Sequence, residues 1–568
     1  MNFKIQVLLI CGLSLFASSL LAQPVLKPLS CNEEKSLHSI SGTVRTSIEF
    51  QNQTSKTLKI FWINYEGKRQ LFQTLGPQQS YVQSTFVTHP WVVTEKNDSC
   101  FSIFLPLNAP SIAKLQNTLH DISISSGIAN NTIATAGVQA IDYNNDKKQD
   151  LVLIGKNGNA LFKNVGNSKF VDVTQQTKFS NAGREARGAS WTDIDNNGFP
   201  DVIIANATGA PTILRNNRGI FSDISNVFSS AEVVGKSEGG TRGGVWVDID
   251  NDKLIDVFLI KDGIPNQMFK QIALLRFTDI STSAGVDSEA QGRSAVAADF
   301  DEDGFQDIYL ANFKQACRFY RNNGNATFTE ISKSIGVDFI GASVQASVVD
   351  FDSDGKLDLF IVNNEGPSFF FRNTGNFNFQ KIIPNALKSA KKGIAAAFID
   401  YNLDGNQDLV LAQTQGGNRL FKNNGQGKFV GVPGIDLSRP DNPTGVTVGD
   451  FNNDGIPDVM IGDGGTDQDR GDSLFKNDGG GNHLTLILQG TTSNKSAIGA
   501  FVLVQIGIIL QGQEVTGGNG TSQESLPLEF GLGTATAADV RIVWPSGIVQ
   551  RLEDVQANQI LRITESTQ

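Results

Sequence analysis

Seven segments of the chain repeat one arrangement of oxygen-bearing side chains, Asp-x-Asp/Asn-x-Asp/Asn-x-x-x-Asp, which suits a hard divalent cation. The sets are Asp142, Asn144, Asp146 and Asp150, then Asp193, Asp195, Asn197 and Asp201, then Asp248, Asp250, Asp252 and Asp256. They continue with Asp299, Asp301, Asp303 and Asp307, and with Asp350, Asp352, Asp354 and Asp358. The last two are Asp400, Asn402, Asp404 and Asp408, and Asp450, Asn452, Asp454 and Asp458. In a tight loop the oxygens at alternate positions turn inward, glycine at the sixth position permits the bend, and the seventh offers its backbone carbonyl. Lys147 and Lys253 replace that glycine in the first and third loops, which predicts weaker binding there. One such loop would be an ordinary acidic turn. Seven in register predict up to seven structural Ca2+ ions. The formal charge of −11 fits, because clustered carboxylates repel one another without a cation, and it argues against nucleic acid, which requires a basic stripe.

The loops open 51, 55, 51, 51, 50 and 50 residues apart, a period matching a four-stranded propeller blade. Each repeat adds a short strand such as Phe277-Thr-Asp-Ile280 upstream and a hairpin such as Leu420-Phe-Lys-Asn-Asn-Gly425 downstream. Asn and Gly at those hairpin offsets supply the φ > 0 positions of tight turns. Apolar runs such as Leu151-Val-Leu-Ile154 read as strands buried on both faces, and no helical period is present in this region. The predicted fold is all-β: a seven-bladed β-propeller over 115–480, flanked by an N-terminal β-sandwich over 31–108 and a small C-terminal β domain over 481–566. The repeated region resembles the FG-GAP/VCBS repeats of integrin α-subunit propellers and of secreted bacterial and cartilage acidic proteins. That resemblance implies calcium in the scaffold and a recognition face elsewhere. The segment Leu119-His-Asp-Ile122 is similar to the start of a repeat.

After Asn482 the period stops. Asn494-Lys-Ser-Ala-Ile-Gly-Ala500, Val515-Thr-Gly-Gly-Asn-Gly520, Leu528-Glu-Phe-Gly-Leu-Gly533 and Val543-Trp-Pro-Ser-Gly547 resemble the ASPIC/UnbV domain that follows such propellers. Before the propeller, the order Phe50-x-Asn52, Trp62-x-Asn-Tyr-x-Gly67, Thr85-Phe86 and His89-Pro-Trp91 resembles the β domain of the von Hippel-Lindau tumour suppressor, which recognises a hydroxyproline peptide. The resemblance places a ligand pocket at Trp62, Phe72, Thr85, Phe86, His89 and Trp91. Phe72 and Phe86 stand where the family has tyrosines, which removes two phenolic hydroxyls. From the residues alone, the aromatics form either a binding cleft or a small core.

Residues 1–22 read as a secretory signal: Lys4, an apolar run from Val7 to Leu21, then Ala22 before Gln23; a membrane anchor is the alternative. The expected location is secreted, periplasmic or cell-surface, with no membrane span after signal removal. Cys31 and Cys100 either pair or remain buried thiols, with Cys317 left over. No His-Glu-x-x-His or phosphate loop is present and the four histidines are scattered along the chain, so it reads as a non-enzymatic binding or adhesion module. An extracellular protein or peptide, a proline-rich one included, is the expected partner. A polysaccharide-acting lyase or hydrolase is the alternative.

Overall fold

Strand character follows from alternation at the N-terminus. In Arg45–Asn52, Ile48, Phe50 and Asn52 are buried while Arg45 is exposed. This strand sits between Ser80–Phe86 and, in parallel, Ser111–Leu115. A second sheet orders Arg69–Leu75, Leu58–Ile63, Trp91–Thr94 and Cys100–Phe104. Ile48, Phe50, Ile60, Trp91, Val93 and Phe104 share one core between the sheets, with Phe50 edge-on to Trp91 at 5.9 Å. Val25 and Leu29 bridge to Ile112 and Ile103, so segments on both sides of 31–108 join the sandwich. In this computed structural model the chain divides into two units, residues 1–117 and 118–568. The described residues are 23–567 except 27, 30, 53–56, 78, 95, 97, 99, 116–118, 130, 182, 229–239, 433, 434, 436, 466–470, 480 and 521–525. The signal reading at 1–22 and the side chain of Cys31 lie outside them. Cys100 is disulfide-bonded, and Cys317 is a free, buried thiol.

Among the described residues of the repeats the strands form seven antiparallel groups of four, the third, fourth and fifth of which join through Asp256–Pro265 with Glu289–Ala298 and Asp307–Ala316 with Ile340–Val349 into one twelve-stranded sheet. First strands are Thr135–Ile141, Ala186–Thr192, Thr241–Val247, Glu289–Ala298, Ile340–Val349, Lys391–Ile399 and Pro443–Gly449. Each ends in an acidic loop, and the ninth loop residue begins the second strand, as at Asp150–Gly155 and Asp358–Asn363, which are buried along their whole length. First strands of successive groups pack side by side, and Pro443–Gly449 packs beside Thr135–Ile141, closing the ring.

The sequence period and the structural group are offset by one strand. Phe277-Thr-Asp-Ile280, read as the opening of a repeat, contributes the outer strand Arg276–Asp279 of the preceding group. For the same reason Leu119–Asp121 is the fourth strand of the last group, pairing with Ser473–Asn477. The N-terminal end of the array thus completes its C-terminal end. Single-turn helices, Ser123–Ser126, Thr174–Thr177 and Ser281–Ala284, follow outer strands, where only strands and turns are expected from sequence.

The C-terminal region forms two sheets, Leu528–Gly533, Asn482–Gln489 and Gln559–Thr564, and Ile509–Glu514, Phe501–Ile506, Ala537–Val543 and Val549–Gln556. One buried cluster joins its Val515, Leu528 and Trp544 to Ile194, Trp246 and Ile255 of the repeats.

Candidate functional site

Local hydrogen bonding shapes each acidic loop. The first-position carboxylate accepts the N–H of the fifth residue on one oxygen and of the sixth on the other; for Asp299 these are Asp303 at 3.0 Å and Gly304 at 2.8 Å. The same pair recurs at Asp142, Asp193, Asp248, Asp350, Asp400 and Asp450. Closing the loop needs positive φ at the sixth position, which glycine supplies in five loops, while Lys147 and Lys253 adopt it at 69° and 77°. The ninth-position carboxylate is buried and accepts a backbone N–H from the following hairpin, as Asp307 does from Asn322 at 2.8 Å.

Carboxylate oxygens converge within 4.8 Å of one another in four loops: Asp193, Asp195 and Asp201; Asp248, Asp250 and Asp256; Asp299, Asp301 and Asp303; Asp350, Asp352 and Asp358. In the first, sixth and seventh loops Asn144, Asn402 and Asn452 occupy the third position, and their amide oxygens accept the fifth-position N–H. The donor set fits a calcium ion on a physical ground beyond spacing. Asp301 Oδ1, Asp307 Oδ2, Asp352 Oδ1 and Asp408 Oδ2 are buried with no hydrogen-bond partner among the described residues. Burial pushes Asp150 and Asp201 up to about 8 and Asp248, Asp299 and Asp350 up to about 7, and holds Asp307 and Asp358 well above the usual carboxylate range. Buried carboxylates of this kind require a cation or a proton.

In six of the seven hairpins a basic residue reaches the acidic loop, whereas Lys476 of the seventh pairs with Asp478 outside it. Lys163 meets Asp146, Arg215 meets Asp195, and Lys270 meets Asp250 and Asp252. Arg321 meets Asp301 and Asp303, Arg372 meets Asp352 and Asp354, and Lys422 meets Asp404. In these six loops a third- or fifth-position carboxylate is countered from within the chain, while the buried first and ninth positions have no basic partner among the ion pairs of the described residues.

The hairpin asparagine, read from sequence as a turn residue, also ties neighbouring groups together. Asn373 Nδ2 donates to Phe300 O of the preceding group and to Leu357 O of its own. Asn216, Asn322, Asn423 and Asn477 repeat the tie, and Asn164 closes the ring onto Phe451 O at 2.8 Å. In the third group Gln271 stands at this place and reaches Ile255 O of its own group. The neighbouring-group acceptors of the asparagines are distant in sequence, and the recurring Asn was the signal that could have pointed to them.

The C-terminal region lies on the acidic-loop face. Gly512 N donates to Asp350 Oδ2 at 3.0 Å, Asp193 N donates to Ser496 Oγ at 3.0 Å, and the buried Glu514 accepts Asp299 N and Gln306 Nε2. Its glycine-rich turn reaches between the first strands, where Trp246 N donates to Gly517 O and Ser294 Oγ to Asn519 O. A Cβ on Gly517 would lie 1.9 Å from Trp246 O. Gly517→Ala is therefore expected to cost about 1–3 kcal/mol and to expose the C-terminal region to limited proteolysis; an unchanged melt and digestion pattern would mean the docking is not tight.

In the first unit, the six residues assigned to a pocket fall into two layers. Trp91 and Thr85 are buried, and Trp91 Nε1 donates to Thr85 Oγ1 at 3.0 Å. Above them, Trp62, Phe72, Phe86 and His89 form a partly exposed cluster: Phe72 is edge-on to Trp91 at 5.0 Å, and His89 lies 5.1 Å from both Trp62 and Phe86. Two members were not singled out from sequence. Tyr65, 56% exposed, is edge-on to Trp62 with its hydroxyl 3.4 Å from His89 Nε2, and Ser39 Oγ accepts Trp62 Nε1 at 2.6 Å. Tyr65 thus supplies a phenol beside the pocket from a new position. Burial draws the His89 imidazole below its ordinary value, which favours the neutral ring.

Comparison with known proteins matches three family models: VHL beta domain over 37–101, FG-GAP-like repeat over 142–204, 193–259, 299–361, 350–411 and 400–461, and ASPIC and UnbV over 490–568. Cartilage acidic protein 1 of Mus musculus is 25% identical over 208 residues, covering 34% of this chain and 31% of that protein. Its Homo sapiens counterpart is 27% identical over 214 residues, covering 35% and 32%. The match therefore spans about a third of the length of these relatives. Among solved structures, an Agrocybe aegerita lectin that recognises non-reducing terminal N-acetylglucosamine aligns with TM-score 0.40 and 16% identity, over 60% of this chain and 94% of its own.

Proposed function

We propose that this chain of FG-GAP-like repeats, set between a VHL beta domain and an ASPIC and UnbV region, is a secreted, non-enzymatic, calcium-stabilised recognition protein. Its N-terminal aromatic cluster binds an extended peptide or protein segment, a proline-rich one included. The observation that carries the reading is the grouping of Trp62, Tyr65 and Phe86 around His89, with Phe72 against Trp62, at the partly exposed edge of the sandwich core, because half-exposed aromatics grouped in this way favour peptide docking. The calcium part rests on the buried, unpartnered loop oxygens. An extracellular location is supported by the disulfide at Cys100 and by the relatives named cartilage acidic protein. Among the described residues no helix is long and apolar enough to cross a membrane.

The test is fluorescence anisotropy of labelled proline-rich and hydroxyproline peptides against the purified chain. Binding is expected, and the pair Trp62→Ala with His89→Ala should weaken it at least about tenfold while the calcium-dependent melt of the repeats stays in place. Failure of every peptide to bind, or equal binding by the variant, would overturn the reading.

A further inference from the structure

Three arginines occupy the same place in adjacent groups. Arg187, Arg242 and Arg293 each lie six residues before an acidic loop, the first two second in their first strands and Arg293 fifth in its longer one, all in the half of the strand away from the loop. The other four groups carry Ala136, Val344, Ile394 and Thr444 there, so the charge is confined to one side of the ring.

All three turn to one carboxylate, Asp262, on the long second strand Asp256–Pro265. Arg242 places Nη2 at 2.5 Å and Nε at 2.9 Å from Oδ2, and Arg293 Nη1 lies 2.8 Å from Oδ1. Arg187 Nη1 stops 3.6 Å short, and this buried nitrogen has no hydrogen-bond acceptor among the described residues. The four side chains are only 19–27% exposed. Three guanidiniums against one carboxylate leave two positive charges in a partly desolvated place. The strain is visible in Arg242, whose pKa is lowered by burial and then by repulsion from Arg293 and Arg187. Lys261, the preceding residue of the strand, is not part of the cluster: it is buried, donates to Thr241 Oγ1 at 3.0 Å, and its charged neighbour is Asp279. The Arg293 guanidinium also lies over the Phe313 ring, 5.1 Å from its centroid, which fixes its direction.

We infer that Arg187, Arg242 and Arg293 form a second recognition site, distinct from the aromatic cluster, for an acidic peptide segment that presents carboxylates. Asp262 is the template: guanidinium forks match carboxylate geometry, and Arg187 is the arm left for a carboxylate from outside. The C-terminal region covers the acidic-loop face and its glycine-rich turn reaches as far as Gly243 and Ser294; Arg242 and Arg293 each lie one residue further towards the opposite strand ends.

The probe is a fluorescein-labelled hexaglutamate peptide, titrated into the calcium-loaded full chain at low salt. Binding that weakens with added NaCl is expected, and Arg187→Gln should weaken it at least about tenfold, the loss of one charged hydrogen bond. Arg187 makes no close bond to Asp262, so its variant should melt like the parent; Trp62→Ala should bind the probe like the parent, separating this site from the aromatic one. Equal binding by Arg187→Gln, or no binding, would overturn the proposal, as would tighter binding of a sulfated oligosaccharide than of the peptide. Glu232, Glu238 and Glu524 lie outside the described residues. Should hexaglutamate bind only after these three are changed to Gln, the chain's own carboxylates fill the cluster and the proposal falls.

Discussion

Metal-stripped protein is expected to melt on the order of 10–20 °C below the calcium-loaded protein, with the gap wider at pH 8 than at pH 5. A site held at a hundredfold excess over its Kd contributes about 2.7 kcal/mol, and the four carboxylate triads together reach roughly 10 kcal/mol. The pH term has a definite sign. Burial raises the folded-state pKa of Asp193 and Asp450 to about 6, of Asp248, Asp299 and Asp350 to about 7, and of Asp150 and Asp201 to about 8. Groups raised in this way stabilise the metal-free fold fully below their unfolded value near 3.8, and that contribution is lost as pH climbs through 6 to 8. Calcium acts in the opposite direction, because the same rise in pH removes the proton that competes for its ligands. Calorimetry of both forms at the two pH values measures the divergence. Parallel curves with a small offset would mean that the Lys and Arg partners of the loops suffice, and that the loops are ordinary turns.

What could be read before folding was whatever is local. An acidic loop and its glycine sit within nine residues, and Asn-Gly hairpins within six, so composition and spacing display them. The offset between repeat and strand group was not legible, because Leu119–Asp121 and Ser473–Asn477 meet only when the ring closes. Asn164 looked like a turn residue for the same reason: its acceptor, Phe451 O, lies at the other end of the array. The glycines of Val515–Gly520 read as turns of a small domain, yet Gly517 is confined by Trp246, which no local pattern reports. In the sandwich the family resemblance indicated six residues, but Tyr65 joins His89 only through the strand geometry that brings Trp62 beside Trp91.

A single substitution separates a metal site from an acidic turn by its sign. Asp307 is fully buried; Oδ1 accepts Asn322 N, and Oδ2 has no hydrogen-bond partner. Asp307→Asn keeps the shape and the acceptor for Asn322 N while removing the charge. With calcium present the loop loses an anionic ligand, so the variant should melt lower by several degrees, the equivalent of about 2–3 kcal/mol. Without metal the outcome reverses. The parent must then either bury an unpaired carboxylate or hold a proton on it, since burial raises this group well above the usual range. The neutral amide avoids that cost, so at pH 8 the metal-free variant should melt at or above the metal-free parent. Asp303→Asn is the contrast: this carboxylate is partly exposed and paired with Arg321, so the variant should lose calcium affinity without gaining stability in the metal-free state. A variant of Asp307 that is destabilised equally in both conditions would place the carboxylate's role in the turn itself and remove the ion from the explanation.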